Sequence, residues 1–145
     1  MGIMFFGSFA HTLDDKGRLV IPRKMREETG VKVFIMKGFD GALSIYKACE
    51  FEKLVNEFNT LPFNKKSARD YLRVQLASTC ELEIDKSGRV QIPSMLLDKF
   101  QIGKEVIVIG MGDHIEVWNR KAYEEYEKKA IAGFENTAEN LDEEN

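Results

Sequence analysis

The chain contains the same ten-residue motif twice. Leu13-Asp14-Asp15-Lys16-Gly17-Arg18-Leu19-Val20-Ile21-Pro22 returns 71 residues later as Ile84-Asp85-Lys86-Ser87-Gly88-Arg89-Val90-Gln91-Ile92-Pro93. Asp, Gly, Arg, Ile and Pro coincide, and the Leu/Ile and Leu/Val exchanges are conservative. A repeat at fixed period means one supersecondary unit built twice, and such a unit cannot bury its apolar side chains alone. The match extends beyond the motif. Phe34–Gly38 aligns with Val106–Gly110 at an offset of 72, and Leu43–Tyr46 with Ile115–Trp118 at the same offset. One residue is therefore gained between the blocks. Each copy closes on an amphipathic helix, with Phe51, Leu54, Val55 and Phe58 at helical spacing in the first and Ala122, Tyr123, Tyr126 and Ala130 in the second.

Each copy reads as strand, tight turn, strand, short helix, strand, turn, strand, helix. Pro22 and Pro93 suit the start of the short helices, and Gly30 suits the end of the first. Gly38-Phe39-Asp40-Gly41 and Gly110-Met111-Gly112-Asp113 read as hairpin turns, not phosphate cradles. Thr60-Leu61-Pro62-Phe63-Asn64 is a linker. Ser67 is predicted to cap a connecting helix to about Ala77, with Tyr71, Leu72 and Leu76 inward and Arg69 and Arg73 outward. The expected fold class is α+β: two tandem pseudo-symmetric β modules at 1–58 and 80–132, joined by a linker and helix at 59–79. The acidic tail, 133–145, has too few apolar side chains to offset chain entropy and is expected to be disordered.

Composition narrows the function classes. With 43% hydrophobic and 31% charged residues the chain is of the soluble globular kind. No apolar run approaches the roughly 18–20 residues of a spanning helix, and Met1–Phe6 carries no basic leader, so a cytoplasmic protein away from the membrane is expected. Cys49 and Cys80 read as buried small hydrophobes. No C-x-x-C or H-x-x-x-H spacing supports a metal, no cofactor motif is present, and no P-loop or G-x-S-x-G suggests an enzyme. The net charge of −3 looks wrong for a nucleic-acid binder until its distribution is read. Glu135, Glu139, Asp142, Glu143 and Glu144 crowd the tail, which has no base, and the remainder is net positive. Within 11–26, Lys16, Arg18, Arg23, Lys24 and Arg26 face only Asp14 and Asp15; within 65–73, Lys65, Lys66, Arg69 and Arg73 face only Asp70. A phosphate backbone senses such local charge, although charge runs are also ordinary solvated faces.

The D-x-x-x-R element has a physical reading of its own. Three loop residues favour a type I turn closed by one left-handed residue, which Gly17 and Gly88 supply. Asp14 then stands opposite Arg18, and Asp85 opposite Arg89. The carboxylate can cap turn N–H groups and pair with the guanidinium. An exposed ion pair contributes little stability, so the pair either pins the turn or presents Arg in a fixed pose. A presented Arg can fork onto guanine O6 and N7, worth about 1–3 kcal/mol of base discrimination. His11 reads as a strand-edge polar residue near the motif. Trp118 and Tyr46 hold equivalent repeat positions and read as packing residues, and Phe5, Phe6 and Phe9 could bury against a neighbouring subunit.

Gly7–Pro22, with G-x-x-x-x-x-L-D-x-K-G-R-x-x-I-P, resembles the first signature of the MraZ family, and Glu83–Pro93 resembles its second. Arg69-Asp70-Tyr71-Leu72-Arg73 falls where that family has its connecting helix. The similarity covers about residues 4–130. It implies an AbrB-like swapped-hairpin fold and a homo-oligomeric ring, an octamer or similar. It also implies binding of double-stranded DNA at short G-rich direct repeats upstream of the bacterial division and cell-wall genes, as a nucleoid-associated regulator. The DNA-binding residues expected are Arg18 and Arg89, with Lys16, Lys86 and Arg23; Asp14, Asp85, Gly17 and Gly88 orient the motif. Copy two departs at one point, with Ser87 at the place of Lys16 and Lys86 one position earlier. The alternative is an oligomeric protein-interaction module, a scaffold or half of a toxin–antitoxin-like pair. Steep salt dependence of DNA binding separates the two.

Overall fold

The computed structural model describes residues 4–144. In chain order the elements are β1 (Ser8–Thr12), β2 (Arg18–Val20), α1 (Arg23–Thr29), β3 (Lys32–Lys37), β4 (Leu43–Lys47), α2 (Ala48–Phe58), α3 (Lys66–Ser78), β5 (Cys80–Glu83), β6 (Arg89–Gln91), α4 (Ser94–Lys99), β7 (Glu105–Gly110), β8 (Ile115–Asn119), α5 (Arg120–Ala132) and α6 (Phe134–Glu139), followed by one 3-10 turn. The class is α+β, with antiparallel strands in two tandem halves, as the repeat requires.

The two halves are interleaved. One antiparallel sheet runs β1-β7-β8-β4-β3-β5, and a separate two-stranded ribbon is formed by β2 and β6. The strands flanking each D-x-x-x-R turn do not pair with each other, as a simple hairpin would. β1 pairs with β7, β5 with β3, and β2 with β6. Strands of three residues are too short to hold a free-standing hairpin in water. Each instead buries its apolar side chain against the other copy: Leu19 and Val90, Cα partners across the ribbon, are both fully buried. The turn glycines complete the exchange, the Gly88 carbonyl accepting from Ile21 N–H and the Gly17 carbonyl from Ile92 N–H.

The ladders correct the sequence alignment of β3 with β7 and bear out that of β4 with β8 at 72. Leu13 N–H donates to the Lys104 carbonyl and Ile84 N–H to the Val31 carbonyl, which sets β3 on β7 at an offset of 73, not 72. The two residues gained lie in the connection from α4 to β7, before Gly103, which at offset 73 stands opposite Gly30, both at positive φ. A one-residue slip moves every strand side chain to the opposite face. In the corrected register Val33 and Ile35 match Val106 and Val108, all fully buried on the core face. Phe34 then matches Ile107 on the opposite face. Phe34 stacks on Phe51 of α2 at 4.1 Å, while Ile107 clusters with Trp118 and Tyr123 near α5.

Other expectations change with the packing. α3 begins at Lys66 with Lys65 as an extended cap, so Ser67 lies inside the helix and caps nothing. Its docked residues are polar: Gln75 and Ser78 are buried, the Ser78 hydroxyl accepting from Lys37 N–H, while Tyr71 and Leu76 are exposed. Cys49 is exposed and Cys80 only half-buried. Cys49 sits two helical positions before Phe51, on the side turned away from the sheet. Phe5 is buried by its own chain, its backbone pairing with Gly112, whereas Phe6 is exposed. Where the tail was expected to be disordered, Phe134–Glu139 form α6 and Leu141–Glu144 a 3-10 turn. Asn145 lies outside the described residues. Among the described residues no helix is long and apolar enough to cross a membrane, and no three His, Cys, Asp or Glu side chains gather as a metal set.

Candidate nucleic-acid interface

Each motif turn is closed by the same five hydrogen bonds. In the first, Asp14 Oδ1 accepts from the backbone of Lys16 at 3.0 Å and of Arg18 at 2.9 Å, and Gly17 N–H donates to the Asp14 carbonyl at 2.9 Å. Asp14 N–H donates to the Arg18 carbonyl, and Arg18 Nε donates to Asp14 Oδ2 at 2.6 Å. In the second turn Asp85 accepts from Ser87 and Arg89 backbone at 2.9 Å each and from Arg89 Nε at 3.0 Å. Gly17 and Gly88 have φ of +76° and +77°, the left-handed region that closes the turn. The backbone N–H of Arg18, then its side chain, holds the Asp14 carboxyl below the usual carboxylate range; Arg89 does the same for Asp85.

The ribbon arranges the two arginines together. Its register is Arg18↔Gln91, Leu19↔Val90 and Val20↔Arg89. Successive strand residues alternate between faces, so Arg18, Val20, Arg89 and Gln91 share the face opposite buried Leu19 and Val90. The arginine side chains are 29% and 34% exposed, open enough to be reached and covered enough to be held. Asp takes the Nε edge of each guanidinium. The Nη atoms have no hydrogen bond among the described residues, leaving a donor edge pointed at whatever meets the ribbon.

The remaining expected residues fall around this face. Lys16 and Lys86 are exposed at the turn tips, and Arg23 is exposed at the start of α1. Asp15 is held by Lys104 at 3.0 Å. His11 is half-buried on β1, and burial lowers its pKa, so at neutral pH it offers no cation. The 65–73 basic segment lies at the start of α3, which packs chiefly on β3. One residue escaped the sequence reading, and another was read only as part of the 11–26 basic cluster. Gln91 shares the arginine face, a place that strand alternation from Arg89 could have given. Arg26 lies across Gly88, a place only the interleaving creates.

Residues 4–74 and again 76–145 match the family described as "MraZ protein, putative antitoxin-like". The "Transcriptional regulator MraZ" of Caldanaerobacter subterraneus subsp. tengcongensis is 43% identical over 139 residues, covering 96% of this chain and 97% of its own. The protein of that name from Thermoanaerobacter pseudethanolicus is 42% identical over 140 residues, 97% of this chain and 98% of its own. That from Lactiplantibacillus plantarum is 39% identical over 138 residues, 95% and 98%.

Proposed function

The chain belongs to the MraZ family, whose relatives above are named as transcriptional regulators, and on that premise we propose that it is a sequence-specific DNA-binding regulator of the bacterial division and cell-wall gene cluster. It acts in the cytoplasm at the nucleoid, and it engages short G-rich direct repeats as a homo-oligomeric ring, an octamer or similar. The observation that carries the reading is the shared ribbon face, where Arg18 and Arg89 are each held by an Asp with the Nη edge left open.

The physical argument runs from that face. A two-stranded ribbon fits the major groove, and an Arg fork there reads guanine O6 and N7. Diagonal neighbours across a ribbon stand about 7–8 Å apart, close to two base steps at about 3.4 Å each. Two guanidinia at that spacing suit two guanines within one short box. Lys16, Lys86 and Arg23 surround the face as phosphate contacts, which fix position without reading sequence. In a ring, head-to-tail neighbours repeat by rotation, so successive ribbons meet DNA in one orientation and read direct repeats; an isolated two-fold dimer favours palindromes. Weak contacts at successive boxes then sum through avidity.

A gel-shift titration tests this with a G-rich direct-repeat duplex, a scrambled duplex and one with a single box reversed. The repeat duplex should bind tightest, with affinity falling steeply as salt rises, and reversing a box should weaken binding sharply. Arg18→Ala should lose the repeat duplex while light scattering shows the same oligomer. Equal affinity for all three duplexes would refute the reading. Binding insensitive to salt would favour the protein-interaction module.

A further inference from the structure

We propose that Arg26 forms, with Arg23 and Lys86, a backbone-phosphate site at the second motif turn that the first turn lacks, so that the second turn is the stronger anchor on DNA. This rests on the DNA-binding reading above and goes beyond it: Arg26 lies outside the D-x-x-x-R signature, and the motif alone gives no reason for the halves to differ.

The interleaving carries the argument. The helix beneath each turn comes from the other copy. Gly17 of the first turn abuts Leu97 of α4, and the groove there is lined by Ser94, Leu97 and Asp98. The second turn abuts α1: a Cβ placed on Gly88 would overlap the Arg26 guanidinium. At the 71-residue offset Arg23 stands where α4 has Ser94, Arg26 where it has Leu97, and Glu27 where it has Asp98. The tips differ too. The first carries Asp15, already engaged by Lys104, beside Lys16; the second carries Lys86 beside Ser87. One turn therefore sits on Leu97 where the other sits on Arg26, and the repeat sets Arg23 in the place of Ser94.

Arg26 is also poised as an anion ligand. Its Nε donates to the Ile21 carbonyl at 2.9 Å, fixing the guanidinium plane across the turn. It is half-buried, no carboxylate pairs with it among the described residues, and its Nη atoms have no hydrogen bond there. A held guanidinium next to Arg89, with its outer edge free, matches the fork that phosphate oxygens accept. Phosphate contacts add affinity that is independent of sequence and released by salt.

The test follows fluorescence anisotropy of full-length protein on the repeat and scrambled duplexes, between about 50 and about 200 mM salt. Arg26→Leu, which installs the first turn's residue, should weaken binding to both duplexes by the same factor and leave their ratio unchanged. Its deficit should grow about 3.5-fold from high to low salt for each phosphate that the variant no longer engages, from a log-log slope near 0.9 per phosphate. Arg26→Lys should restore most of the salt slope. Leu97→Arg should steepen it by giving the first turn a matching phosphate ligand. Arg26→Leu with wild-type affinity and slope would overturn the proposal. If Arg26→Leu loses the fold or oligomer by melting and light scattering, Leu97→Arg decides, and an unchanged slope there overturns it. Wild-type protein that binds neither duplex would instead sink the regulator reading itself.

Discussion

Replacing Asp14 and Asp85 by Asn separates the turn from the arginine it holds. Oδ1 of each Asp accepts two backbone N–H groups, and Oδ2 accepts from Arg Nε. Asn keeps the first acceptor and puts an NH2 group at the second, where two donors face each other. The turn should survive, because its backbone bonds and glycines are untouched, and an exposed pair adds little stability. The melting temperature should barely move. DNA binding should change in two opposing ways. Freeing a rotamer-rich side chain means it must be ordered at binding, at about 0.5–1.5 kcal/mol each, or about 2- to 13-fold for each engaged motif at 1.36 kcal/mol per decade. Removing a negative charge beside the duplex raises sequence-independent attraction. Absolute affinity is therefore a poor readout, and the ratio of repeat to scrambled duplex is the right one. That ratio should fall by the factor above for Asp14→Asn or Asp85→Asn, while scrambled DNA binds as well as before or better. Anisotropy titrations at one salt concentration supply it. A wild-type ratio in both variants, with the ratio abolished by Arg18→Ala, would show that the arginines read DNA without being held, and the reasoning from geometry would fail.

Gly17→Ala and Gly88→Ala force an L side chain into the left-handed region, at about 1–2 kcal/mol each. The Gly17 methyl also meets the Ile92 backbone carbonyl, which cannot step aside, whereas the Gly88 methyl meets the Arg26 guanidinium at the end of a flexible side chain, so Gly17→Ala should cost at least as much. Urea unfolding of the two variants gives the order, and a clearly lower midpoint for Gly88→Ala would contradict it. Asp14 and Asp85 should titrate below the ordinary 3.8. A folded pKa lowered in this way contributes stability that is complete above the unfolded value and fades as pH falls through the folded one. The arginine pose should thus persist through neutral and mildly acidic pH. Carboxyl carbon NMR midpoints at or above 3.8 would count against it.

What the sequence revealed was local. The Asp-capped turn, its glycine and its Arg partner depend on bonds spanning two to four residues, and all recur in both copies as the motif implies. The hairpin turns between β3 and β4 and between β7 and β8 were equally local. Strand pairing was not, since β1 joins β7 across about 97 residues, and any apolar strand could have served as partner. The alignment of β3 with β7 slipped by one residue, while that of β4 with β8 did not, because Phe34-Ile35-Met36 and Val106-Ile107-Val108 are apolar throughout, so alternation gives no register. Ser67 and Cys49 were placed by residue type, and the helix phase, set by docking at Ser78 and Phe51, overrode it.

The basic cluster at 11–26 shows why the interleaving matters for function. Along the sequence, Lys16, Arg18, Arg23, Lys24 and Arg26 look like one patch serving the first motif. In the fold they are divided: Lys16 and Arg18 stay with the first turn, while α1 carries Arg26 beneath the second. The two arginines of the ribbon are joined instead of divided, since Leu19 and Val90 form one buried pair beneath both. Loosening that pair would disturb both guanidinia at once, whichever copy carried the change. On the proposed reading the unit that meets DNA is thus neither repeat but the ribbon between them, and its unequal flanks come from helices that each copy lends to the other.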